Sequence, residues 1–515
     1  MKMKTYTNLT IAIIGFLLLT TGLKANDFQI LNVSLNSLNA ENHTVTVSVE
    51  LTWENYWNND NNGGNHDAVW LFLKYSIDNS DWHHATLSSE EDDFIITSGS
   101  VETVSDGKGV FIIPSSSGNT AYFTATVDLL WRYGEDSVSD TAVNVRVSAF
   151  GIEMVYIPEG DFTVGDFDNI YGGGSVYTFI DNTNTGPVLI SDNPVIIKQS
   201  GTDPNAGDEL LEAGLMISGP GGIDTDGDGQ IDNPLYPTGY KGFYIMKYEI
   251  SQGQYAAFLN NIPAGYAFYR YHEENYGITR YSITGSYPGF YAETPEVACN
   301  FISWCDGSAY ADWAALRPMT ELEFEKACRG PASAQSNVYP WGSGEESWPI
   351  YGYDYQLEAF GTEAERISNP AVQAPNLNFT EVMFYNNNAF FEGPLRCGIF
   401  ANSAVNKTMM ETGATYYGVM EMLGNLNETC ITLGTPQGRA FTGLNGDGYL
   451  GKHGEANTEG WPLWIYSEMD GFGYRGGSFF SWGEAMAISY RVLAAYADFN
   501  PKELQGFRCV RSRSN

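Results

Sequence analysis

The segment "RPMTELEFEKACRG", residues 317–330, carries unusually dense signals for a helix. Thr320 and Glu323 have the spacing of a capping box, and Met319 and Phe324 have the spacing of a hydrophobic staple. Gly330 can supply the left-handed residue that ends a helix. The segment therefore predicts a helix that begins after Thr320 and ends at Gly330. We interpret this helix as part of the scaffold, because capping and an apolar face explain its pattern without a catalytic role.

The first residues of the chain are typical of a secretory signal peptide. Lys2 and Lys4 precede an apolar run over residues 9–19, and "GLKA" offers a small-residue cleavage site after Ala25. The apolar run is too short for a stable membrane span. We therefore expect residues 1–25 to be removed, and the mature protein to be secreted or extracytoplasmic without membrane insertion.

Length and charge narrow the possible partners. A chain of 515 residues is long enough for two or more domains. The formal net charge of −36 repels nucleic-acid phosphates and anionic lipids, so neither is expected as a main partner. The same charge favours divalent cations.

Residues 26–150 have the pattern of an all-β domain. "TVTVSVELTW" (44–53) alternates apolar and polar residues, and similar runs follow at 68–75, 121–131 and 143–150. Short strands joined by polar turns predict a β-sandwich of immunoglobulin-like size. From residue 151 to residue 515 the pattern becomes mixed α+β. We expect a Gly/Asp-rich insertion there at about 172–236 and an irregular insertion at about 331–400.

Several stretches of the second part resemble the formylglycine-generating enzyme (sulfatase-modifying factor) domain family. They are, in order, "MVYIPEGDFTVG" (154–165), "MKYEISQGQYAAF" (246–258), "ISWCDGSAYADWAALRPMTELEFEKACRG" (302–330), "YGVMEMLGNLNE" (417–428), "RGGSFF" (475–480) and "GFRC" (506–509). The resemblance implies a loop-rich α+β fold that is distantly similar to C-type lectins.

The resemblance also implies where catalytic groups should lie. Catalytic members use two cysteines, spaced C-x-x-x-x-C, to bind copper, and the matching positions here are Ala487 and Val492. Thiolates are the ligands that select Cu(I). A second enzymatic branch binds iron through histidines, for which this region offers only His272 and His453. We therefore expect no catalytic residues of the family type, and neither copper nor iron as a cofactor.

Two candidate calcium sites remain. By resemblance, the turn "EMLGNLNE" (421–428) would hold a structural Ca²⁺ through the Glu421 and Glu428 side chains and the Gly424 and Leu426 carbonyls. Two surface glutamates on a turn are the alternative. The loop "DTDGDGQID" independently has the D-x-D-x-D-G spacing of an EF-hand calcium loop, although Leu235 replaces its last ligand. The alternative is a solvated acidic loop. The loop ligands would be Asp224, Asp226, Asp228, Gln230 and Asp232.

Six cysteines in an oxidising compartment favour disulfides, and fifteen pairings are possible if all six take part. By resemblance, Cys328 and Cys509 match positions that form disulfides in relatives. Ala311 stands at one partner position, and Cys305 is the nearby candidate to replace it.

These observations favour a secreted protein that binds an unknown protein, peptide or glycan. Its ligand would contact the segment 478–500, whose aromatic residues are typical of recognition surfaces. We expect Phe480 and Tyr490 to be buried. The alternatives are an oxidoreductase of the formylglycine-generating type, another enzyme with a non-standard site, and a structural cell-surface component. The predicted ligand face consists of Phe479, Trp482, Arg491, Tyr496 and Asn500.

Overall fold

The computed structural model describes residues 28–59, 64–117, 122–165, 179, 187–192, 197–201, 209–210, 215–217, 233–331, 338–343, 348–463 and 470–513. The predicted signal peptide and the acidic loop 224–232 lie outside these residues. The described chain is mostly β-sheet with few helices. None of its helices is both long enough and apolar enough to cross a bilayer.

The strands of the N-terminal part run from residue 29 to residue 157. They are β1 (Gln29–Asn39), β2 (Thr44–Trp53), β3 (Asn58–Asn59), β4 (Asn65–Ile77), β5 (His83–His84), β6 (Ile95–Ile96), β7 (Ser100–Thr103), β8 (Val110–Ile113), β9 (Phe123–Trp131) and β10 (Val145–Ile157).

The remaining strands are short. They are β11 (Phe162–Val164), β12 (Val188–Ile190), β13 (Ile197–Gly201), β14 (Glu209–Leu210), β15 (Leu215–Ile217), β16 (Phe243–Met246), β17 (Ile283–Thr284), β18 (Tyr291–Ala292), β19 (Arg317–Pro318), β20 (Val338–Tyr339), β21 (Gly342–Ser343), β22 (Asp354–Glu358), β23 (Arg366–Ile367), β24 (Met383–Asn386), β25 (Ala389–Phe391), β26 (Asn427–Ile431), β27 (Phe472–Arg475), β28 (Gln505–Gly506) and β29 (Cys509–Ser512).

The α-helices of the described chain all follow residue 250. They are α1 (Gln252–Asn260), α2 (Ala264–Arg270), α3 (Trp304–Trp313), α4 (Glu321–Arg329), α5 (Ile399–Ser403), α6 (Met409–Thr412) and α7 (Pro436–Arg439).

Two sheets face each other in the N-terminal part. The first has the order β1-β2-β9-β6, and its alternating strand β2 points Val47, Val49 and Leu51 inward. The second contributes β4, β8 and β10, with Val69 and Leu71 of β4 in the same apolar core. This is the two-layer β arrangement that the alternating pattern predicts. The immunoglobulin-like and lectin-like topologies stay predictions.

Strand β4 is buried on both faces. Its odd-numbered apolar residues lie in the core between the two sheets, whereas Trp70 and Phe72 lie in a second core with Trp313 and other residues of the C-terminal part. The sequence of a strand that is buried on both faces is a nearly continuous run of apolar residues, as in "AVWLFLKY" (68–75). The N-terminal and C-terminal parts therefore share one sheet rather than touching through a surface.

The expected domain boundary between residues 150 and 151 falls inside strand β10. This strand pairs with β4 from Val145 to Val155 and with β16 from Met154 to Ile157. The shared sheet has the order β19-β29-β16-β10-β4-β8-β7, with β3 and β5 attached to β4. Strand β10 therefore continues across the predicted boundary, with hydrogen bonds to its neighbours on both sides of it.

Helix α4 confirms the prediction made from residues 317–330. Thr320 caps it, both bonds of the capping box with Glu323 are present, and Gly330 follows with a φ of 72°. Phe324 and Met319 lie in one core with Phe243 of β16. The helix is therefore fixed both by its own ends and by the shared sheet.

The insertion at 331–400 is less irregular than expected. Strands β22 to β25 form a four-stranded sheet with the order β23-β22-β24-β25. Tyr355 and Phe384 stack on this sheet with ring centroids 4.9 Å apart and join the core around Phe324.

The expected disulfides are not formed. All six cysteines are free thiols, and five of them are buried. Cys328 lies in the core around Phe324, and Cys509 lies in the core around Trp313. Burial raises the pKa of the Cys328 and Cys509 thiols well above its usual value, which makes them unreactive apolar residues in this structure.

Candidate functional site

A pocket of about 230 Å³ lies beside the small sheet β27-β26-β28. Strand β27 and the glycine pair Gly476 and Gly477 form one side, and the segment after Ser478 forms the other. Both glycines have positive φ angles, of 85° and 71°, so the chain turns sharply here without the strain that a side chain would bring. The lining is mainly aromatic and uncharged, and includes Tyr474, Phe480, Trp482, Tyr490, Asn427 and Ser481.

The pairing of β26 with β27 decides which side chains face the pocket. Glu428 is opposite Arg475, and Thr429 is opposite Tyr474. Because side chains alternate along a strand, Asn427 and Tyr474 lie on one face of this pair, and Glu428 and Arg475 lie on the other. Tyr474 lines the pocket and donates a hydrogen bond from its hydroxyl to the Asp498 carbonyl at 2.9 Å. The amide of Asn427 is therefore on the pocket side.

Buried ion pairs connect the pocket to helix α4. The Arg475 guanidinium donates to Glu321 at 3.0 Å and to Glu325 at 2.7 Å, and Arg491 donates to Glu321 at 3.1 Å. Burial alone would raise the pKa of Glu321, but the charges of Arg491 and Arg475 outweigh it and hold the pKa below its usual value. The carboxylate is therefore ionised, and it holds together two segments that border the pocket.

The predicted ligand face is exposed only in part. Trp482 and Tyr496 are 67% and 57% exposed, and Asn500 is also exposed. Phe479 corrects the prediction, because it is only 4% exposed and lies in a small core with Tyr248. Arg491 is also buried, with its guanidinium on Glu321.

Phe480 and Tyr490 differ from the expectation that both are buried. Phe480 is 57% exposed at the edge of the pocket, and Tyr490 is only partly buried. The sequence shows that this segment must supply both core and surface aromatic residues. It does not show which of two adjacent residues, Phe479 or Phe480, turns inward.

The pocket lining does not fit the metals of the family's oxidising members. Ala487 and Val492 lie in the segment that borders the pocket, and neither has a metal-binding side chain. The described residues that line the pocket include no cysteine and no histidine. Copper(I) needs soft thiolate ligands, and iron in such sites needs imidazole. The side chains present here supply neither.

The turn 421–428 differs from the expected calcium site. Both carboxylate oxygens of Glu428 accept hydrogen bonds from Arg508, the shortest at 2.6 Å. Arg508 also donates to the Met420 carbonyl at 2.8 Å, so the Glu428 carboxylate already has a cationic partner within the protein. No group of three or more acidic, cysteine or histidine side chains in the described residues is arranged to hold a metal. This cationic partner lies 80 residues downstream of Glu428, which the spacing within the turn cannot reveal.

The other predicted ligands of this turn also have protein partners. The Glu421 carboxylate accepts from the Gly398 N–H at 3.1 and 3.2 Å, and burial raises the pKa of Glu421 to about 7. Gly424 and Leu426, whose carbonyls were the predicted ligands, are held through their N–H groups, which donate to the Gly476 carbonyl and to Glu249 at 3.2 Å, so the role of the carbonyls stays a prediction. The turn thus joins the glycine pair of the pocket to the core.

Sequence reasoning missed Asn425 as an organising residue. Its side-chain N–H donates to Glu249 at 2.8 Å, and its side-chain oxygen accepts from the Leu395 N–H at 2.8 Å. Its φ of 61° is in the left-handed region, which asparagine tolerates better than most residues. The "GN" pair at 424–425 is the sequence signal that marks this conformation.

Comparisons with known proteins identify the family of this chain. Residues 198–513 match the sequence model of a family described as sulfatase-modifying factor enzyme 1-like domain. The chain is 28% identical over 129 residues to the hercynine oxygenase of Mycobacterium tuberculosis, which covers 22% of this chain and 30% of that protein. It is 41% identical over 49 residues to the formylglycine-generating enzyme of Bos taurus, which covers 10% of this chain and 13% of that protein.

These matched segments span less than a third of each relative's length, whereas the family match spans more than half of the present chain. The resemblance seen in the sequence motifs is thereby confirmed. The chain belongs to the sulfatase-modifying factor enzyme 1-like domain family.

Proposed function

We propose that this protein is a secreted, non-oxidising member of its family that binds a ligand in the pocket beside β27. The observation that carries the proposal is the pocket itself. Buried ion pairs support the pocket, and its described lining consists of aromatic, aliphatic and uncharged polar groups and of Arg475, without a thiol or an imidazole. Such a lining can bind a molecule, but it lacks the ligands for copper or iron.

The exposed aromatic residues at the edge support a binding role. Phe480 and Trp482 are largely exposed to solvent. Large aromatic side chains are more often buried in a core or in an interface. Exposed aromatic groups around a concave site are typical of recognition surfaces. The Glu321 pairs with Arg475 and Arg491 hold the pocket segments in place before a ligand arrives, which lowers the entropy lost on binding.

The second candidate function is oxidation. It is favoured by family membership and by relatives named hercynine oxygenase and formylglycine-generating enzyme. An oxidase assay separates the two functions. The full chain is incubated with a cysteine-containing sulfatase peptide, copper and oxygen, and the peptide is analysed by mass spectrometry. We expect no aldehyde product. Conversion of the cysteine to an aldehyde at a rate above a protein-free control contradicts the proposal.

A binding assay provides the positive test. Trp482 lies at the pocket edge, so a ligand in the pocket should change its fluorescence. Panels of oligosaccharides and of short peptides are screened for a change in tryptophan emission. Trp482→Phe removes the reporter and must remove the signal. A signal that is unchanged in this variant places binding elsewhere on the protein.

A further inference from the structure

Asn427 lines the pocket and is 8% exposed. Its side-chain amide has no hydrogen-bond partner among the described residues, and its amide atoms are not among the fully enclosed polar atoms, so they stay accessible to solvent in the pocket. Its backbone is fully used, since its N–H donates to the Leu504 carbonyl at 2.8 Å. The alternation of side chains along β26 places this amide on the pocket side of the strand.

An amide that faces a pocket favours a particular kind of ligand, because a ligand that covers it must replace the hydrogen bonds of water. The asparagine side chain offers one carbonyl acceptor and two N–H donors. Buried polar groups in proteins are almost always hydrogen-bonded, so a suitable ligand supplies both a donor and an acceptor close together. A purely apolar ligand would cover the amide of Asn427 without satisfying it, which weakens binding.

The charges around the pocket favour an uncharged ligand. Arg475 is the charged residue of the described lining, and its guanidinium is already bound to Glu321 and Glu325. The formal net charge of −36 repels anions in general. A cationic ligand would find no carboxylate among the described residues that line the pocket.

The aromatic lining and the volume of the pocket limit the shape of the ligand. Phe480, Trp482 and Tyr490 present flat apolar rings to the same space in which Asn427 presents its amide. The volume of about 230 Å³ is below the range of roughly 300–1,000 Å³ that is usual for drug-sized ligands. One six-membered ring with hydroxyl groups fits these limits, because a pyranose has apolar C–H faces and adjacent hydroxyls that both donate and accept.

We infer that the pocket binds a terminal, uncharged pyranose of a glycan, and that Asn427 is its specificity-determining residue. The inference rests on the proposed function, since it names the ligand of the same pocket. The aromatic rings at the edge contact the apolar face of the sugar, and Asn427 bonds to two neighbouring hydroxyl groups. A peptide that places only an apolar side chain in the pocket leaves Asn427 unpaired, and a charged side chain there meets no free counter-charge among the described lining residues.

The test uses the full chain and the methyl glycosides of glucose, galactose, mannose and N-acetylglucosamine. Saturation-transfer NMR detects binding, and titration gives Kd. We expect at least one neutral glycoside to bind, and glucuronic acid and glucosamine to bind more weakly or not at all. Asn427→Leu should weaken binding about 10- to 100-fold, the loss expected for hydrogen bonds to a buried polar group.

Trp482→Ala provides a second variant that preserves the fold, because the side chain is largely exposed. It should also weaken binding at least tenfold, whereas Phe268→Ala, which removes an exposed ring on helix α2, should not change it. Thermal unfolding confirms that each variant is folded. If Asn427→Leu is folded and binds equally well, the role of Asn427 is contradicted.

The remaining outcomes separate this inference from the proposed function. If no neutral glycoside binds but a peptide quenches Trp482, the glycan inference fails and the binding function stands. If aldehyde forms in the oxidase assay, the proposed function fails, and the glycan inference fails with it.

Discussion

Glu321 accepts one hydrogen bond on each carboxylate oxygen from the guanidinium of Arg491, both at 3.1 Å. Both side chains are buried. Glu321 is the first residue of helix α4, which the sequence identifies only as a scaffold, and Arg491 belongs to the segment that borders the pocket. The helix therefore also positions the pocket, because its capped first turn fixes the carboxylate that this segment binds.

Replacing Glu321 should destabilise the protein strongly. Glu321→Leu leaves Arg475 and Arg491 buried without their shared partner, and breaking a buried ion pair in this way costs about 3–5 kcal/mol. Denaturant unfolding measures the change. The matched control is Arg366→Ala, which breaks the exposed pair with Glu358 and should cost only about 0–1 kcal/mol. Equal effects in the two variants contradict this account.

The shared sheet should make the two parts of the chain unfold together. Trp70 of β4 belongs to the N-terminal part, yet its ring nitrogen donates to the Ala314 carbonyl at 2.9 Å and its ring lies in the core with Trp313. Trp70→Ala should lower the free energy of unfolding by about 3–5 kcal/mol. A single unfolding transition, seen by both circular dichroism and fluorescence, should shift as a whole.

Two further variants of the chain distinguish joint unfolding from independent unfolding of the two parts. Leu31→Ala removes a half-exposed side chain on β1 and should change stability by less than about 0.5 kcal/mol. A chain that begins at residue 151 loses β4 and half of β10, and we expect it not to fold. Two separate transitions, only one of which responds to Trp70→Ala, show that the parts are independent.

The sequence predicts the features that depend on near neighbours. Helix α4 is one example, since Thr320, Glu323 and Gly330 act within a few residues of each other. The alternation of β2 is another, because period two directly gives the buried face. The family motifs likewise identify the region of the pocket, although not its shape.

Features that depend on distant partners could not be predicted. Arg508 pairs with Glu428 across 80 residues, so the turn alone looks like a metal site. The sequence around Gly151 predicts two separate strands, whereas the structure has one continuous strand, β10. Gly151 has no side chain, and the ring of Phe28 packs against its backbone. The burial of Asn427 likewise depends on residues far away in the sequence, because its strand β26 lies between β27 and β28.

Calcium should act through the acidic loop rather than through the turn 421–428. The D-x-D-x-D-G spacing of residues 224–229 predicts a loop that binds Ca²⁺ weakly, because Leu235 replaces the last ligand. We expect millimolar Ca²⁺ to raise the melting temperature and Asp228→Asn to remove the shift. Glu421→Gln is the control and should keep it, because the Glu421 carboxylate is bound to the Gly398 N–H. If Glu421→Gln removes the shift in melting temperature and Asp228→Asn keeps it, calcium binds at the turn 421–428 instead.

His272 should make stability depend on pH near neutrality. Its Nε2 lies 3.2 Å from Asp306, the residue that completes the capping box of helix α3. Burial would lower the pKa of His272, but the hydrogen bond and charge of Asp306 outweigh it and raise the pKa above its ordinary value. The folded state therefore binds the proton more tightly than the unfolded chain does.

The sign of the effect follows from this difference in pKa. The stabilisation by His272 is fully present below the unfolded pKa of about 6.5 and is lost as the pH rises through the higher folded value. Unfolding free energies of the wild type and of His272→Gln are measured from pH 5.5 to pH 8.5. The difference between them should shrink as the pH rises. An NMR titration of the His272 ring, assigned with the same variant, should give a midpoint above 6.5. A difference in stability that is constant over this range shows that the histidine is held by packing alone and not by its charge beside Asp306.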